Sequence, residues 1–187
     1  MGRPNKYKHP TWKDGKIDIF YEQWKDMKKR CNNSTNQRDN SYKDCIISDE
    51  FLDYDKYYEW AEKNYYEIEN EKVCLDKDIL NKGNRLYSFD TCIFAPIKIN
   101  QLFESSKSSR GDLPKGITIN NYGKYVARMS KDNKNVFLGS FKTIEEAFQC
   151  YKTEKEKYIK EIADEYKSRI PEKLYNAMYS YEIEIND

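Results

Sequence analysis

The sequence predicts an α+β protein: N-terminal helices and a ββα unit, then a three-stranded antiparallel sheet packed on a helix. Three patterns carry that expectation. Apolar residues over 19–31 and 53–66 recur at three- and four-residue steps, the period of a helix with one buried face. Residues 72–103 read strand, turn, strand, short helix. Residues 116–151 give three β-type runs broken by polar turns and leading straight into a helix. The chain therefore divides into a first domain over 1–104, a Ser/Gly/Pro linker over 105–115 and a second domain over 116–187.

In the first helix Phe20, Trp24, Met27 and Cys31 form one stripe, with Lys25, Lys28, Lys29 and Arg30 elsewhere around it. The polar run CNNSTNQRDNS after it is a loop. Tyr54, Tyr57, Tyr58, Ala61 and Tyr65 make the stripe of the second helix, with Trp60 beside them. Both stripes read as core. VCLDKDIL is apolar-rich around an acidic pair, NKGN is a turn, and RLYSFDTCIF returns extended. After Pro96, IKINQLF is a short helix that offers Ile97, Ile99, Leu102 and Phe103 for packing. In the second domain the strands are GITI, KYVARM and VFLGSF. Thr143 is the N-cap of the helix that follows, with Glu145 and Glu146 in the first turn, where the helix dipole favours acid. Ile144, Ala147, Phe148 and Tyr151 face the sheet. The helix continues to Ser168, and a last one over 171–181 opens on Pro171.

Hydrophobic residues make up 38% of the 187 and charged residues 35%, a polar balance, but 17 Tyr, 8 Phe and 3 Trp supply material for a dense core. The abundance of Tyr, Lys, Asn and Ile fits an A/T-rich genome. No run is long enough to span a bilayer, and Met1 is followed by polar and basic residues, so a soluble intracellular protein with no membrane partner is expected. The net charge is only +1. Its distribution is uneven: Arg3, Lys6, Lys8, Lys13 and Lys16 crowd the N-terminus, 49–78 is acidic, and Lys115, Lys124, Arg128, Lys131 and Lys134 surround the sheet strands. The N-terminal arm reads equally as a nucleic-acid contact or as solvated charge. The five cysteines form no CxxC pair and His9 is the single histidine. A zinc site from Cys31, Cys45, Cys74 and Cys92 has little support in the spacing. Neither zinc nor disulfides are expected, and the thiols read as small core residues.

Alternation along Lys124-Tyr125-Val126-Ala127-Arg128 sends Tyr125 and Ala127 to one face and Val126 and Arg128 to the other. The small Ala127 allows close packing against the sheet, and Lys124 and Arg128 leave cationic tips on the same strand. A sheet of this kind can present itself to a nucleic-acid groove.

Residues 116–151 resemble the ethylene-response-factor (APETALA-type) DNA-binding domain. Gly116-Ile117, Lys124 to Met129, Leu138-Gly139-Ser140-Phe141, Thr143, Glu145, Glu146, Ala147 and Tyr151 fall in that family's order and spacing. The resemblance implies double-stranded DNA as the partner. The family's contact positions fall on Lys124, Tyr125 and Arg128; in the docking expected from this, Lys134 joins them on the sheet, and Lys107, Arg110 and Lys115 of the linker meet the DNA backbone.

Residues 20–104 resemble the phage-borne HNH (His-Me finger) homing endonucleases. Trp24, Met27, Arg30, Cys31, Tyr42 and Cys45 follow the opening motif. Leu75-Asp76-Lys77-Asp78, Gly83-Asn84, the run Tyr87–Phe94 and Asn100 follow the ββα unit. The resemblance implies metal-dependent phosphodiester cleavage, with Mg2+ or Mn2+ held by Asp76 and Asn100 at the ends of the unit. Lys77 stands where that family has its histidine base. Lysine has an ordinary pKa of ~10.4 and is a poor base, so Asp78 is the candidate stand-in. Thr91 replaces an Asn that braces the base loop. The alternative is that Asp76 and Asp78 cap a tight turn and Asn100 holds a helix end. With the histidine missing, a rival to the nuclease is a catalytically silent DNA-binding regulator, or a phage-encoded inhibitor that grips a host protein through the acidic 49–78 region. Family and composition together imply a bacteriophage of an A/T-rich host.

Overall fold

The computed structural model describes residues 6–32, 44–103 and 113–187, and they form an α+β structure in two compact units, 1–101 and 102–187. The first unit holds β1 (Trp12–Lys13), β2 (Lys16–Ile17), α1 (Ile19–Asn32), β3 (Ile46–Ile47), α2 (Asp49–Leu52), α3 (Tyr54–Asn64), β4 (Val73–Asp76), β5 (Leu86–Tyr87) and β6 (Ile93–Pro96). The boundary falls within α4 (Ile97–Phe103). The second unit holds β7 (Ile117–Ile119), β8 (Tyr125–Lys131), β9 (Lys134–Phe141), α5 (Ile144–Tyr166) and α6 (Glu172–Tyr179). Among the described residues no helix is long and apolar enough to cross a membrane. Lys107, Arg110, Tyr42 and most of the linker lie outside the described residues.

In the first unit the apolar stripes become the core. Phe20, Trp24 and Met27 of α1 are buried, as are Tyr54, Tyr57 and Ala61 of α3. Trp24 meets Tyr54 at 5.2 Å between ring centroids, and its Nε1 donates to the carbonyl of Phe51 at 2.8 Å. The first three helices each start on a side-chain cap. Asp18 Oδ1 accepts from the amides of Phe20 and Tyr21 at 2.9 and 3.3 Å, Ser48 caps α2, and Asp53 caps α3.

Lys8, His9 and Pro10 of the basic N-terminal arm are bonded to α3. The amides of Lys8 and His9 donate to the Asp55 carboxylate at 3.1 and 2.8 Å, and Tyr54 Oη donates to Pro10 O at 2.5 Å. The β1–β2 hairpin, not foreseen from the sequence, turns at Asp14-Gly15, both in the left-handed region that a two-residue hairpin turn requires.

The ββα order holds, with one change. β4 pairs antiparallel with β6, from Val73↔Pro96 to Asp76↔Ile93, and α4 follows β6 directly. The run expected as one second strand is split. Leu86 and Tyr87 leave to pair parallel with Ile46 and Ile47 of β3, and the chain turns before β6. That turn is closed by Cys92 N–H donating to Ser88 O at 3.1 Å.

In the second unit β7, β8 and β9 form an antiparallel sheet against α5. Thr143 and Glu146 complete a reciprocal capping box at the start of α5. Its buried stripe includes Ala147, Phe148, Tyr151, Tyr158, Ile159 and Ile162. The β8–β9 turn at Asp132-Asn133 is clasped to the helix, with Tyr158 Oη donating to Asp132 Oδ1 at 3.0 Å. The last helix opens after Pro171 and buries Leu174 and Met178.

Candidate nucleic-acid interface and ββα site

The sheet has two chemically different faces. Ala127 and Met129 are buried toward α5, and Ile117, which pairs with Ala127, is buried with them. The other side of β8 carries Val126, Arg128 and Ser130. Register adds Thr118, Ser140, Phe137 and Asn135 to that outer face. Of these, Val126 is buried and the rest are exposed. Arg128 and Phe137 face each other because of a β-bulge. Ala127 pairs with Gly139 but Arg128 pairs with Phe137, which leaves Leu138 as the extra residue. The guanidinium lies 5.5 Å from the centroid of the Phe137 ring, itself 56% exposed. No carboxylate belongs to this outer row.

The five cationic and aromatic residues expected to contact DNA do not share one face. Arg128 is on the outer face, and Lys124, immediately before β8, has the same parity. Tyr125 has the parity of Ala127 and Met129 and pairs with Phe141 and Ile119 at the sheet's end. Lys134 pairs with Lys131, whose ammonium turns to Glu161 of α5 at 2.9 Å, so Lys134 sits at the hairpin end on the helix side by register. Lys115 precedes β7 and lies near enough to the buried Lys155 amine of α5 to help lower its pKa. Phe137 was missed by sequence reasoning. Its signal would have been the bulge, which simple alternation does not contain.

In the first unit, Asp76 ends β4 and closes the turn after it. Its Oδ1 accepts the amides of Asp78 and Ile79 at 2.9 and 2.8 Å. Burial, followed by the neighbouring Asp78 carboxylate, raises the Asp76 pKa to about 6 against the pull of those two N–H groups. Lys77 is only 5% exposed. Its Nζ contacts Asp78 Oδ2 at 3.0 Å and sits 5.8 Å from the Tyr87 ring centroid. Lys77, expected to stand at a base position, is therefore engaged in an ion pair with Asp78.

The bracing of this loop falls to two residues. Asn84 Nδ2 donates to Lys77 O at 2.6 Å and Leu86 O at 2.7 Å, while Leu86 N–H donates to Asn84 Oδ1 at 3.2 Å. Thr91 Oγ1 donates to the same Leu86 carbonyl at 2.6 Å. Asn84 was visible in the sequence as part of a Gly-Asn turn, and its role comes from the two carbonyls the turn brings within reach.

Asn100 lies in α4, half-buried, with no hydrogen bond to Asp76. Asp76 Oδ2 takes no part in the turn. Asp76 and Asn100 are hard oxygen donors of the type Mg2+ or Mn2+ accepts, and such ions usually complete their shell with water and substrate phosphate. The donor chemistry fits a divalent cation. Among the described residues no three His, Cys, Asp or Glu side chains gather as a metal-binding group. The one imidazole is engaged elsewhere: His9 stacks on Tyr58 with ring centroids 4.3 Å apart.

Three of the thiols feel the charge of Lys77. Cys92 is buried and pushed up to about 12 by burial, with Asp76 and Lys77 among the charges acting on it. Burial likewise raises Cys31 and Cys45, with the Lys77 charge acting against it on both. No protein-family model matches the chain, and neither the search of curated proteins nor that of solved structures finds a match.

Proposed function

We propose that this chain binds double-stranded DNA through the outer face of the β7–β9 sheet. The observation that carries the reading is the exposed Arg128–Phe137 pair on a sheet face without a carboxylate. Arg128 supplies a planar donor for a guanine edge or a phosphate, and Phe137 supplies an apolar surface for sugar or thymine methyl. Lys124 adds charge, while Thr118, Ser130, Asn135 and Ser140 offer short hydrogen-bonding groups in the same row. Tyr125, Lys134 and Lys115 support the sheet's edges in this reading and do not read bases.

Metal-dependent cleavage of the bound DNA is the second step of the proposal. Asp76 and Asn100 would hold Mg2+ or Mn2+, which when bound supplies charge neutralisation at the phosphate. Asn84 and Thr91 fix the loop that aims Asp76. Lys77 and Asp78 neutralise each other and give no proton acceptor comparable to a histidine. That pairing is the specific observation favouring a second reading, a catalytically silent DNA-binding regulator or an inhibitor of a host protein.

A mobility-shift titration with mixed-sequence duplexes at low and moderate salt tests the binding. Arg128→Ala should weaken it, and equal retention of both proteins would refute the docking face. A plasmid-nicking assay with magnesium or manganese then separates the readings. Cleavage lost in Asp76→Ala and Asn100→Ala supports the enzyme, and absence of product on any DNA that is bound supports the silent form.

A further inference from the structure

We propose that the β1–β2 hairpin is a binding site for single-stranded DNA, with Trp12 as the surface on which an unpaired base stacks and Lys13 and Lys16 as its phosphate contacts. The site belongs to the first unit and is independent of the duplex reading of the sheet.

The hairpin is built inside out. Trp12 pairs with Ile17 and Lys13 with Lys16, and the ladder runs on with the Asp18 amide donating to Thr11 O at 3.0 Å. Partners across an antiparallel ribbon share a side and successive residues alternate. Lys13, Lys16 and Asp18 therefore share one side, and Trp12 and Ile17 the other. Asp18 is buried and caps α1, which marks its side as the one toward the protein. The outward side is the apolar one, with Trp12 63% and Ile17 40% exposed. An antiparallel ribbon with one solvated side ordinarily turns its apolar residues inward and its polar residues outward. Apolar side chains scattered singly over a surface need no explanation. Here an indole and an isoleucine stand directly opposite each other, held in register by a tight turn.

The surroundings leave this surface open. Among the described residues Trp12 makes no ring contact, and neither Lys13 nor Lys16 has an ion pair. Trp24 and Trp60, by contrast, each pack against other rings. Asp14 is the one acid within residues 12–17, and a methyl group at Gly15 would meet nothing within 4 Å, so the turn stands clear. Two free cations complement phosphate. The indole gains most from a base whose own faces are free, whereas in a duplex the neighbouring pairs cover those faces. Base–aromatic stacking tolerates any base, so the site reads strandedness and not sequence. Ile17 beside the indole gives the sugar an apolar bed, which favours deoxyribose over a ribose whose 2′-hydroxyl would lose water. Asp55 and Glu59 of α3, bonded to Lys8 and His9 just ahead of the hairpin, repel a broad polyanionic surface laid against its base. A thin strand engages the projecting turn alone.

The test titrates the full chain with a short oligodeoxythymidylate, an oligouridylate and a mixed-sequence duplex, following tryptophan fluorescence and the anisotropy of end-labelled strands. Oligodeoxythymidylate should quench the fluorescence. The quench should be lost in Trp12→Phe, since Trp24 is buried and Trp60 packs on Phe51. Trp12→Ala should bind the oligodeoxythymidylate about tenfold more weakly. Replacing both Lys13 and Lys16 by Gln should lower the slope of log affinity against log salt by about 1.4, the share of two phosphate contacts on a single strand. Arg128→Ala should leave the quench intact, which separates this site from the sheet. A quench that persists in Trp12→Phe, unchanged oligodeoxythymidylate affinity in Trp12→Ala, a loss in that variant as large for the duplex as for the single strand, or tighter binding of oligouridylate would each overturn the proposal.

Discussion

The Arg128 guanidinium lies 5.5 Å from the Phe137 ring centroid across the β8–β9 ladder, and the extra residue Leu138 is what sets the two opposite each other. Such an exposed cation–aromatic contact is worth about 0.5–1 kcal/mol. Its larger consequence is that Arg128 is held over an apolar floor before any ligand arrives. Arg128→Ala should cost about 1–3 kcal/mol of duplex affinity if it reads a base edge. Phe137→Ala should cost less on its own, and the double variant should lose less than the sum because the ring acts partly through the guanidinium. Neither change should lower stability by more than about 1 kcal/mol, since both side chains are exposed and the contact between them is all that is lost. Strict additivity in fluorescence-anisotropy titrations would show that the ring does not position Arg128.

Lys155 carries a pH dependence whose sign can be worked out. The residue is 6% exposed on the sheet side of α5, with its Nζ 5.7 Å from the Tyr158 ring centroid. Burial, and secondarily the Lys115 charge, lowers its pKa from 10.5 to about 8. Between those values the unfolded chain binds more protons than the folded one, so this group makes stability rise as pH rises from about 8. Below that range the full cost of burying the ammonium is present, on the order of 3 kcal/mol. Lys155→Met should therefore be more stable than the parent at pH 7 in urea denaturation, with the gap narrowing toward pH 10. A gap independent of pH would mean that the amine is neutralised by some other means.

Local patterns were legible and long-range pairings were not. The stripes of α1 and α3 and the Thr143–Glu146 capping box could be read because each rests on neighbours three or four residues apart. The split of 85–94 into β5 and β6 could not, because β5 is claimed by β3 some forty residues earlier in the chain. The N-terminal lysines read equally as a nucleic-acid contact or as solvated charge, and neither reading contained the bonds from the Lys8 and His9 amides to Asp55. In the ββα site, Asp76 and Asn84 were legible as residue types with suitable chemistry. That Lys77 would be buried against Asp78 depends on the Tyr87 ring and on walls drawn from distant segments. The faces of β8 followed from alternation, while the Phe137 contact required a bulge that no periodicity announces.

Tyr57 offers a case where removing a polar atom should help. Its ring is wholly buried between Phe51, at 5.2 Å, and Trp60, at 6.2 Å, while its hydroxyl has no hydrogen-bond partner among the described residues. A buried hydroxyl without a partner bears its desolvation cost uncompensated, roughly 1–3 kcal/mol. Tyr57→Phe keeps the ring contacts and deletes that cost, so the variant should unfold at the same or higher temperature, with a gain of up to about 1 kcal/mol. A clear loss of stability in calorimetry would reveal a partner for the hydroxyl.

Gly116 couples the sheet to its helix and should be the least replaceable residue of the second unit. Its φ of +79° lies in the left-handed region, its carbonyl accepts the Arg128 amide at 2.8 Å, and a methyl group there would overlap the Tyr151 ring and stand 2.7 Å from the Arg128 carbonyl oxygen. Gly123 has nearly the same backbone, φ +72°, but open space where a methyl group would go. Both glycine-to-alanine changes incur the left-handed cost of about 1–2 kcal/mol. Only Gly116→Ala adds overpacking, typically another 1–3 kcal/mol. The Tyr151 ring is buried and cannot swing clear without opening the contact between α5 and β7. Gly116→Ala should therefore be destabilised by about 2–5 kcal/mol in urea and Gly123→Ala by about 1–2. Because Gly116 bonds to the backbone of Arg128, the first variant should also weaken duplex binding under conditions where it is still folded. Equal losses for the two glycines would mean that helix and sheet separate easily at this point, and Tyr151 would then be no part of what holds Arg128 in place.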